Sequence, residues 1–267
     1  MTLRDPSSTL MAQVRATHVP RRSFALWFLG QNGWIIKAPS GFTLAIDPYL
    51  SDSCNGKRSG IDFSRNVPIA IPPELLCVDL IVCTHSHQDH CDPWTLVPCR
   101  ECGSSRFVGP AETQAVFAEC GIPESDRRLT WPNDVVEYRD IRLTGVFALP
   151  TDATDLTHMG FVVQVDDGPK VYITGDTGWT DLLETAARHQ PDVMLTCINA
   201  GLGNLSHWQA AELVKRVNPT LAVPCHYDMF PGNSCPPDMF RASLVAHGIG
   251  DKYHHLAHAT RFMFTRD

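Results

Sequence analysis

No apolar run in this 267-residue chain is long enough to cross a bilayer. The longest early one, FALWFL at residues 24–29, falls far short of the ~20 residues a transmembrane helix needs. The opening segment MTLRDPSSTLMAQVRATHVPRR lacks the apolar centre of a secretory signal. These absences predict a cytoplasmic protein without a membrane partner. Nor is there an excess of positive charge: 22 Lys and Arg stand against 29 Asp and Glu, a net charge of −7. Nucleic acid is disfavoured as a partner, because its phosphates call for a basic face. No repeat and no linker divides the chain. Residues 1–22 therefore read as an N-terminal arm or short surface helix, and 23–267 as a single domain. Ten cysteines are present, yet a zinc ribbon is not: Cys99 and Cys102 form CREC, and no second CxxC follows. Without a signal segment the thiols are expected to be reduced.

What the chain does carry is a succession of short apolar runs broken by Gly, Asn, Pro and Ser. FALWFLG, GWIIKA and FTLAID read as consecutive antiparallel strands. Residues 51–73, rich in Gly, Ser and Pro, read as a long loop of the kind that often serves a site. VDLIVCT is a buried strand running into a dense polar cluster. DVVEY and IRLTGVFALP are strands around a turn at Arg139–Asp140, and MGFVVQVDDGPKVYITGD is a hairpin turning at Asp167–Gly168. AETQAVFAECG, TDLLETAARHQ, SHWQAAELVKRVNP and a stretch near 237–248 have helical spacing, with Thr180 or Asp181 and Ser206 as caps. A final strand pair is expected near 253–264. The order predicts an α/β chain of the α+β kind: two sheets face to face, with helices outside both. The polar clusters fall at strand ends, where sheet folds place their sites.

The densest cluster is CTHSHQDHCDP, residues 83–93. His85, His87 and Asp89 stand at i, i+2 and i+4, so an extended backbone points them one way while His90 points elsewhere. One short loop thus aims ligands at two neighbouring metal positions. Imidazole with carboxylate suits zinc, manganese or iron. The competing reading is a solvated turn, but a plain turn rarely follows a buried strand with so many ligand types. Two later strand ends add Asp176, in YITGDTG, and His226, in VPCHYD. Taken alone, the first also reads as a cap and the second as a core histidine; metal sites of this type draw ligands from several strands.

HxHxDH, then a strand ending in GDTG, then one ending in CH, with Asp47 in AIDPYL before them, resembles the metallo-β-lactamase superfamily from Phe24 to the C-terminus. Within it, FALWFLGQNGWIIK, IDPYL and VPCHYDMF are most similar to the L-ascorbate 6-phosphate lactonase group. The resemblance implies a four-layer αββα sandwich and a hydrolase with one or two divalent ions per chain, manganese or zinc. It implies a small anionic substrate, a sugar-acid or sugar-phosphate lactone opened by a metal-activated water. His85 and His87 would hold the first ion and Asp89, His90 and His226 the second. Asp176 would bridge them, and Asp89 with Asp176 would orient the water.

The superfamily's further histidine is missing from its usual place. The loop ALPTDATDLTHMG holds Asp152 there and His158 beside the next strand, and either could complete the first site. His158 and His207 are candidates to protonate the leaving oxygen; His207 reads equally as a helix-start residue. Asn199 and Tyr227 are candidate substrate contacts, Asn199 reading equally as a turn residue. Asp92 and Asp228 are candidates to orient metal-bound imidazoles, and Lys57, Arg58 and Arg65 to bind phosphate. HHLAH, 254–258, reads as part of the last strand, away from the site. A homo-oligomer is expected. Two other functions stay open: hydrolysis of a small phosphodiester at the same centre, and metal binding without hydrolysis.

Overall fold

The computed structural model describes residues 9–103 and 105–266. Helix α1 (Leu10–Ala16) precedes a meander of β1 (Ser23–Gly30), β2 (Gly33–Lys37) and β3 (Thr43–Ile46). The loop 51–73 carries only a two-residue pair, β4 (Lys57–Arg58) with β5 (Ile61–Asp62). Then come β6 (Leu80–Val82), α2 (Pro93–Glu101), β7 (Arg106–Gly109), α3 (Ala111–Glu119) and β8 (Arg127–Leu129). The second half supplies β9 (Val135–Tyr138), β10 (Ile141–Phe147), β11 (Met159–Val165), β12 (Lys170–Ile173) and β13 (Val193–Cys197). Helix α4 (His207–Val217), β14 (Leu221–Cys225), α5 (Pro237–Ala246) and β15 (Arg261–Thr265) complete it.

One sheet has the order β15-β1-β2-β3-β6-β7-β8 and the other β14-β13-β12-β11-β10-β9. Strand β1 shows why the chain forms layers. Phe24, Leu26 and Phe28 enter the core between the sheets, while Ala25, Trp27 and Leu29 enter the core shared with α1, α2 and α3. Both faces are apolar, so the run reads as continuous rather than alternating. Each such large side chain contributes roughly 1.5–3 kcal/mol on burial. On the far side, Ala210, Leu213 and Val214 of α4 and Phe240 and Leu244 of α5 join the core of the second sheet. The result is the expected αββα sandwich.

Pairing direction places the site. Strands β3 and β6 are parallel, and so are β12, β13 and β14. Their C-terminal ends therefore emerge at common edges, carrying Asp47, the 84–90 loop, Asp176, Asn199 and His226. The antiparallel pair β10–β11, joined Phe147 to Met159, brings the 148–158 loop beside β12.

Several local expectations change. Helix α2 carries no periodic signal in the sequence; it starts because Asp92 caps it, accepting from Trp94 N at 3.0 Å and Thr95 Oγ1 at 2.5 Å. Asp181–His189 is a 3₁₀ segment capped by Thr180. The expected strand pair near the C-terminus is the single strand β15. Of the N-terminal 22 residues, 1–8 lie outside the described residues, and α1 buries Leu10, Met11 and Val14. The thiol expectation is corrected for one pair: Cys77 and Cys102 form a disulfide, and Cys99 is buried and free. CREC is therefore no zinc knuckle, and a partner 25 residues away is not deducible from sequence.

Candidate metal centre

Two separate groups of potential ligands form where the strand ends meet, and a third, Asp47 with His85 and His90, overlaps both. His85, His87 and His158 make one; Asp89, His90 and His226 make the other. Asp176 joins the second, with Oδ1 at 3.4 Å from His90 Nε2 and 3.2 Å from His226 Nε2. Three further separations are 3.4 Å (His90 Nε2 to Asp89 Oδ2), 3.5 Å (His226 Nε2 to Asp89 Oδ2) and 3.3 Å (His90 Nε2 to His226 Nε2). An ion bound tetrahedrally at ~2.0–2.2 Å has ligand-to-ligand edges of about 3.3–3.6 Å. Five of the six edges among these four atoms, 3.2–3.5 Å, already stand near that spacing.

The backbone puts them there against the assumption of an extended loop. A turn, closed by His90 N donating to His87 O at 2.9 Å, breaks the i, i+2, i+4 row. His85 and His87 stay with the first group while Asp89 and His90 swing to the second. His226 has φ of 55°, a left-handed conformation that leaves the strand sharply.

Fixed hydrogen bonds decide which nitrogen faces each site. Buried Asp47 accepts from His90 Nδ1 at 2.7 Å, leaving Nε2 as the free lone pair. The Thr84 hydroxyl donates to Asp47 Oδ2 at 2.5 Å and so accepts from His85 Nδ1 at 3.0 Å. Asp47 thus orients a histidine of each group. A second relay repeats the pattern: the Thr154 hydroxyl donates to Asp152 Oδ1 at 2.6 Å and lies 3.0 Å from His87 Nε2. His87 is left to offer Nδ1. His158 donates from Nδ1 to Asp176 O at 3.1 Å. Asn204, unnoticed in the sequence, accepts from Thr177 N at 3.0 Å and donates to Asp176 Oδ2 at 2.8 Å. Asp176 Oδ1 is thereby freed for the site.

The donor set fits divalent metal. His85 Nε2 and His158 Nε2 are buried without any hydrogen-bond partner, a costly condition unless an ion takes them, and Asp176 Oδ1 has only the His90 and His226 nitrogens to face. The chemistry of the two groups differs. Burial holds His85 well below and His158 below the ordinary imidazole value, so both are neutral and ready to ligate. Burial would lower His226 too, but the Asp176 and Asp89 carboxylates outweigh it and push its pKa up to about 9. His90 is raised by the same carboxylates with Asp47, against its burial.

A pH dependence follows. In the metal-free protein the His226 pairing stabilises the fold fully below about pH 6.5, its unfolded value. That contribution is lost as pH rises through about 9. A metal must displace those protons. The second group should therefore load more tightly as pH rises to about 9, while the first changes little above neutrality. Calorimetric metal titrations at about pH 6 and about pH 9, followed by elemental analysis, measure this; equal second-ion affinity at both would contradict it.

Other sequence candidates land elsewhere. Asp152 supports His87 and does not join the ligand group; His158 does. Asp155, also overlooked, accepts from Ser86 N at 2.6 Å and ties the 148–158 loop to the ligand loop. His207 turns its Nδ1 to Ser243 Oγ on α5 at 2.8 Å, so it is not placed as a proton donor. Tyr227 is buried with its hydroxyl 3.1 Å from His255 Nε2, and Asn199 donates to Asn233 at 2.8 Å. Asp92 caps α2 and Asp228 faces His258 Nε2 at 3.3 Å, so neither orients a ligand histidine. His255 and His258 thus pack against the segment after His226, nearer the site than expected, His254 packs on Phe262, and none of the three joins a ligand group among the described residues. Arg65 is spent on the carbonyls of Ser51, Val67 and Tyr49, while Lys57 and Arg58 are exposed.

This architecture is shared with solved structures. A metallo hydrolase from Ignicoccus hospitalis superposes with a TM-score of 0.72 at 21% identity, over 92% of this chain and 100% of that one. An isothiocyanate hydrolase from Delia radicum gut bacteria does so with a TM-score of 0.72 at 20% identity, over 91% and 100%. A family profile described as the beta-lactamase superfamily domain matches residues 25–226. A UPF0173 metal-dependent hydrolase of Anaeromyxobacter dehalogenans is 30% identical over 232 residues, 82% of this chain and 79% of its own. Another, of Thermoplasma acidophilum, is 30% identical over 203 residues, 74% and 81%. With the ligands of two sites gathered at the strand ends of an αββα sandwich, the chain belongs to the UPF0173 metal-dependent hydrolases of the metallo-β-lactamase superfamily.

Proposed function

We propose that the protein is a lactonase whose substrate carries an apolar substituent. One observation carries the choice of substituent: a cavity of about 310 Å³ that shares His158 with the first ligand group and is otherwise lined by residues such as Pro110, Leu129, Trp131, Phe147 and Leu156. No Lys, Arg, Asp or Glu is among its lining residues. A phosphate would find no cation there, and Arg65 is committed to backbone carbonyls. Neutral lactones therefore rank ahead of the anionic sugar phosphate that the sequence resemblance suggests. The lactone ring itself is taken from that resemblance.

Bound manganese or zinc supplies a water acidified to near-neutral pKa and a Lewis acid for the developing oxyanion. The residues do the rest. Asp47, Thr84 and Asn204 hold ligand atoms in place before substrate arrives, which lowers the reorganisation needed at reaction. His158 has one nitrogen on Asp176 O and the other among the ligands, so neither delivers a proton. Asp89 turns Oδ2 to the ligand group and its side chain is 20% exposed against 9% for Asp176, so its Oδ1 would be the carboxylate atom open to carry a proton from water to the leaving oxygen.

The test is a panel with metal content measured: a medium-chain δ-lactone, a sugar-acid lactone, L-ascorbate 6-phosphate, bis-p-nitrophenyl phosphate and an aryl isothiocyanate. The medium-chain lactone should give the highest kcat/KM, by about 10-fold or more. Leu156→Glu should lower that value about 10-fold at unchanged metal content. Faster turnover of the phosphorylated lactone or the diester would refute this reading.

A further inference from the structure

Gln31 occupies the turn between β1 and β2, with φ of 54° and 1% exposure. Its backbone carbonyl accepts from His226 N at 2.7 Å. Its side-chain amide lies 2.5 Å from Asp89 Oδ2 and 2.8 Å from His226 Nε2. Those two atoms are themselves 3.5 Å apart. An atom so placed can be no further than about 3.3 Å from an ion seated ~2.0–2.2 Å from both. An amide NH2 carries positive partial charge and donates only; the amide oxygen accepts. At that range the oxygen is the end a dication tolerates. His226 Nε2, once its lone pair goes to an ion, has nothing left to offer an N–H. A half-turn about the terminal bond exchanges Oε1 for the NH2, and with both oxygens on one ion the present 2.5 Å separation from Asp89 Oδ2 opens to the ~3 Å edge between two ligands.

We propose that Gln31 Oε1 is a further ligand of the ion held by Asp89, His90, Asp176 and His226, so that this ion has five protein ligands. An amide oxygen is a hard donor of the kind magnesium, calcium and manganese accept. With this fifth oxygen the second site takes manganese in a higher coordination number as well as the tetrahedral ion for which its other four ligands are spaced. That assignment rests on the reading of these four residues as a metal site.

Metal binding tests it, apart from turnover. Gln31→Met keeps the length and removes the oxygen. Gln31→Asn keeps an amide too short to reach and tolerates a positive φ. Gln31→Glu keeps the oxygen without an N–H. All retain the carbonyl that holds His226 N. The metal-free chain is titrated with Mn²⁺, which should load two ions in the wild type. The second ion should bind about 10–100-fold more weakly to the Met and Asn variants. The Glu variant should hold it at least as tightly as the wild type, and the first ion should be unaffected throughout. With Co²⁺, the Met and Asn variants should show a more intense visible band as the site loses a ligand. Wild-type affinity in both the Met and Asn variants would overturn the proposal. So would equal loss in the Glu variant, which would make Gln31 a hydrogen-bond donor to Asp89. A wild-type chain that takes up no second ion would instead remove the metal reading beneath it.

Discussion

Asp176→Ala should lower turnover by roughly 10³-fold or more, the scale seen when a preorganised charge is removed from a reacting centre, and should cost the second ion. Asp176 supplies the carboxylate oxygen that His90 and His226 both face at 3.2–3.4 Å. Its main chain also fixes the His158 ring, so the side chain and backbone of one residue serve both groups. Asp176→Asn should do nearly as much damage. Thr177 N donates to Asn204 Oδ1, which aims Asn204 Nδ2 at Asp176 Oδ2. An amide at 176 must therefore set its NH2 against another NH2 or against the ligand group. Elemental analysis of dialysed protein, with kcat on the best substrate, measures both variants; full metal and full turnover in the Ala variant would end the two-group reading.

Asp47→Ala should destabilise the fold by about 3–5 kcal/mol, as when one partner of a buried charged pair is lost. Four donors lose their acceptor: Asn32 Nδ2 at 2.7 Å, Thr84 N at 2.7 Å, Thr84 Oγ1 at 2.5 Å and His90 Nδ1 at 2.7 Å. Each unsatisfied buried donor costs ~1–3 kcal/mol, and relaxation recovers part of the sum. For a chain of this size the loss corresponds to about 10 °C in Tm. Metal affinity should fall at both groups, because the carboxylate orients His90 directly and His85 through Thr84. Loss of such an orienting partner weakens metal binding about 10–100-fold. Asp47→Asn keeps the volume and should fall between the two. Melting curves with and without added metal separate the contributions. A shift below about 1 kcal/mol, well under the loss expected for this pair, would mean that Asp47 is not the post around which the site is built.

The elements with strong local signals were readable. FALWFLG read as a strand of the meander, which the structure covers on both faces, and SHWQAAEL carried its cap in Ser206, which the structure completes as a capping box with Gln209. Elements defined by capping alone, such as α2 behind Asp92, left no periodic trace. Within the ligand loop, residue types gave the chemistry but not the direction. The turn at 87–90 is a backbone choice that the HxHxDH spacing does not reveal. The loop 148–158 shows the same limit. It offers Asp152, Asp155 and His158, and no spacing tells which is ligand, which supports a ligand and which ties the loop down.

By itself, then, the sequence determined the layered sheet architecture, the strand-end position of the centre and the imidazole and carboxylate donors within it. These depend on periodicity and residue chemistry, which are local properties. The resemblance divided five of the donors into two groups, and the structure keeps that division; only the tertiary structure decided that His158 and not Asp152 joins the first group and that His207 belongs to the α4–α5 contact. It alone brought Gln31 and Asn204 to the ligands, and it placed Asp47, which the resemblance already marked, behind His85 and His90. Those outcomes depend on distances between segments far apart in the chain, set by sheet order and parallel pairing, and a few ångströms separate a ligand from the residue behind it.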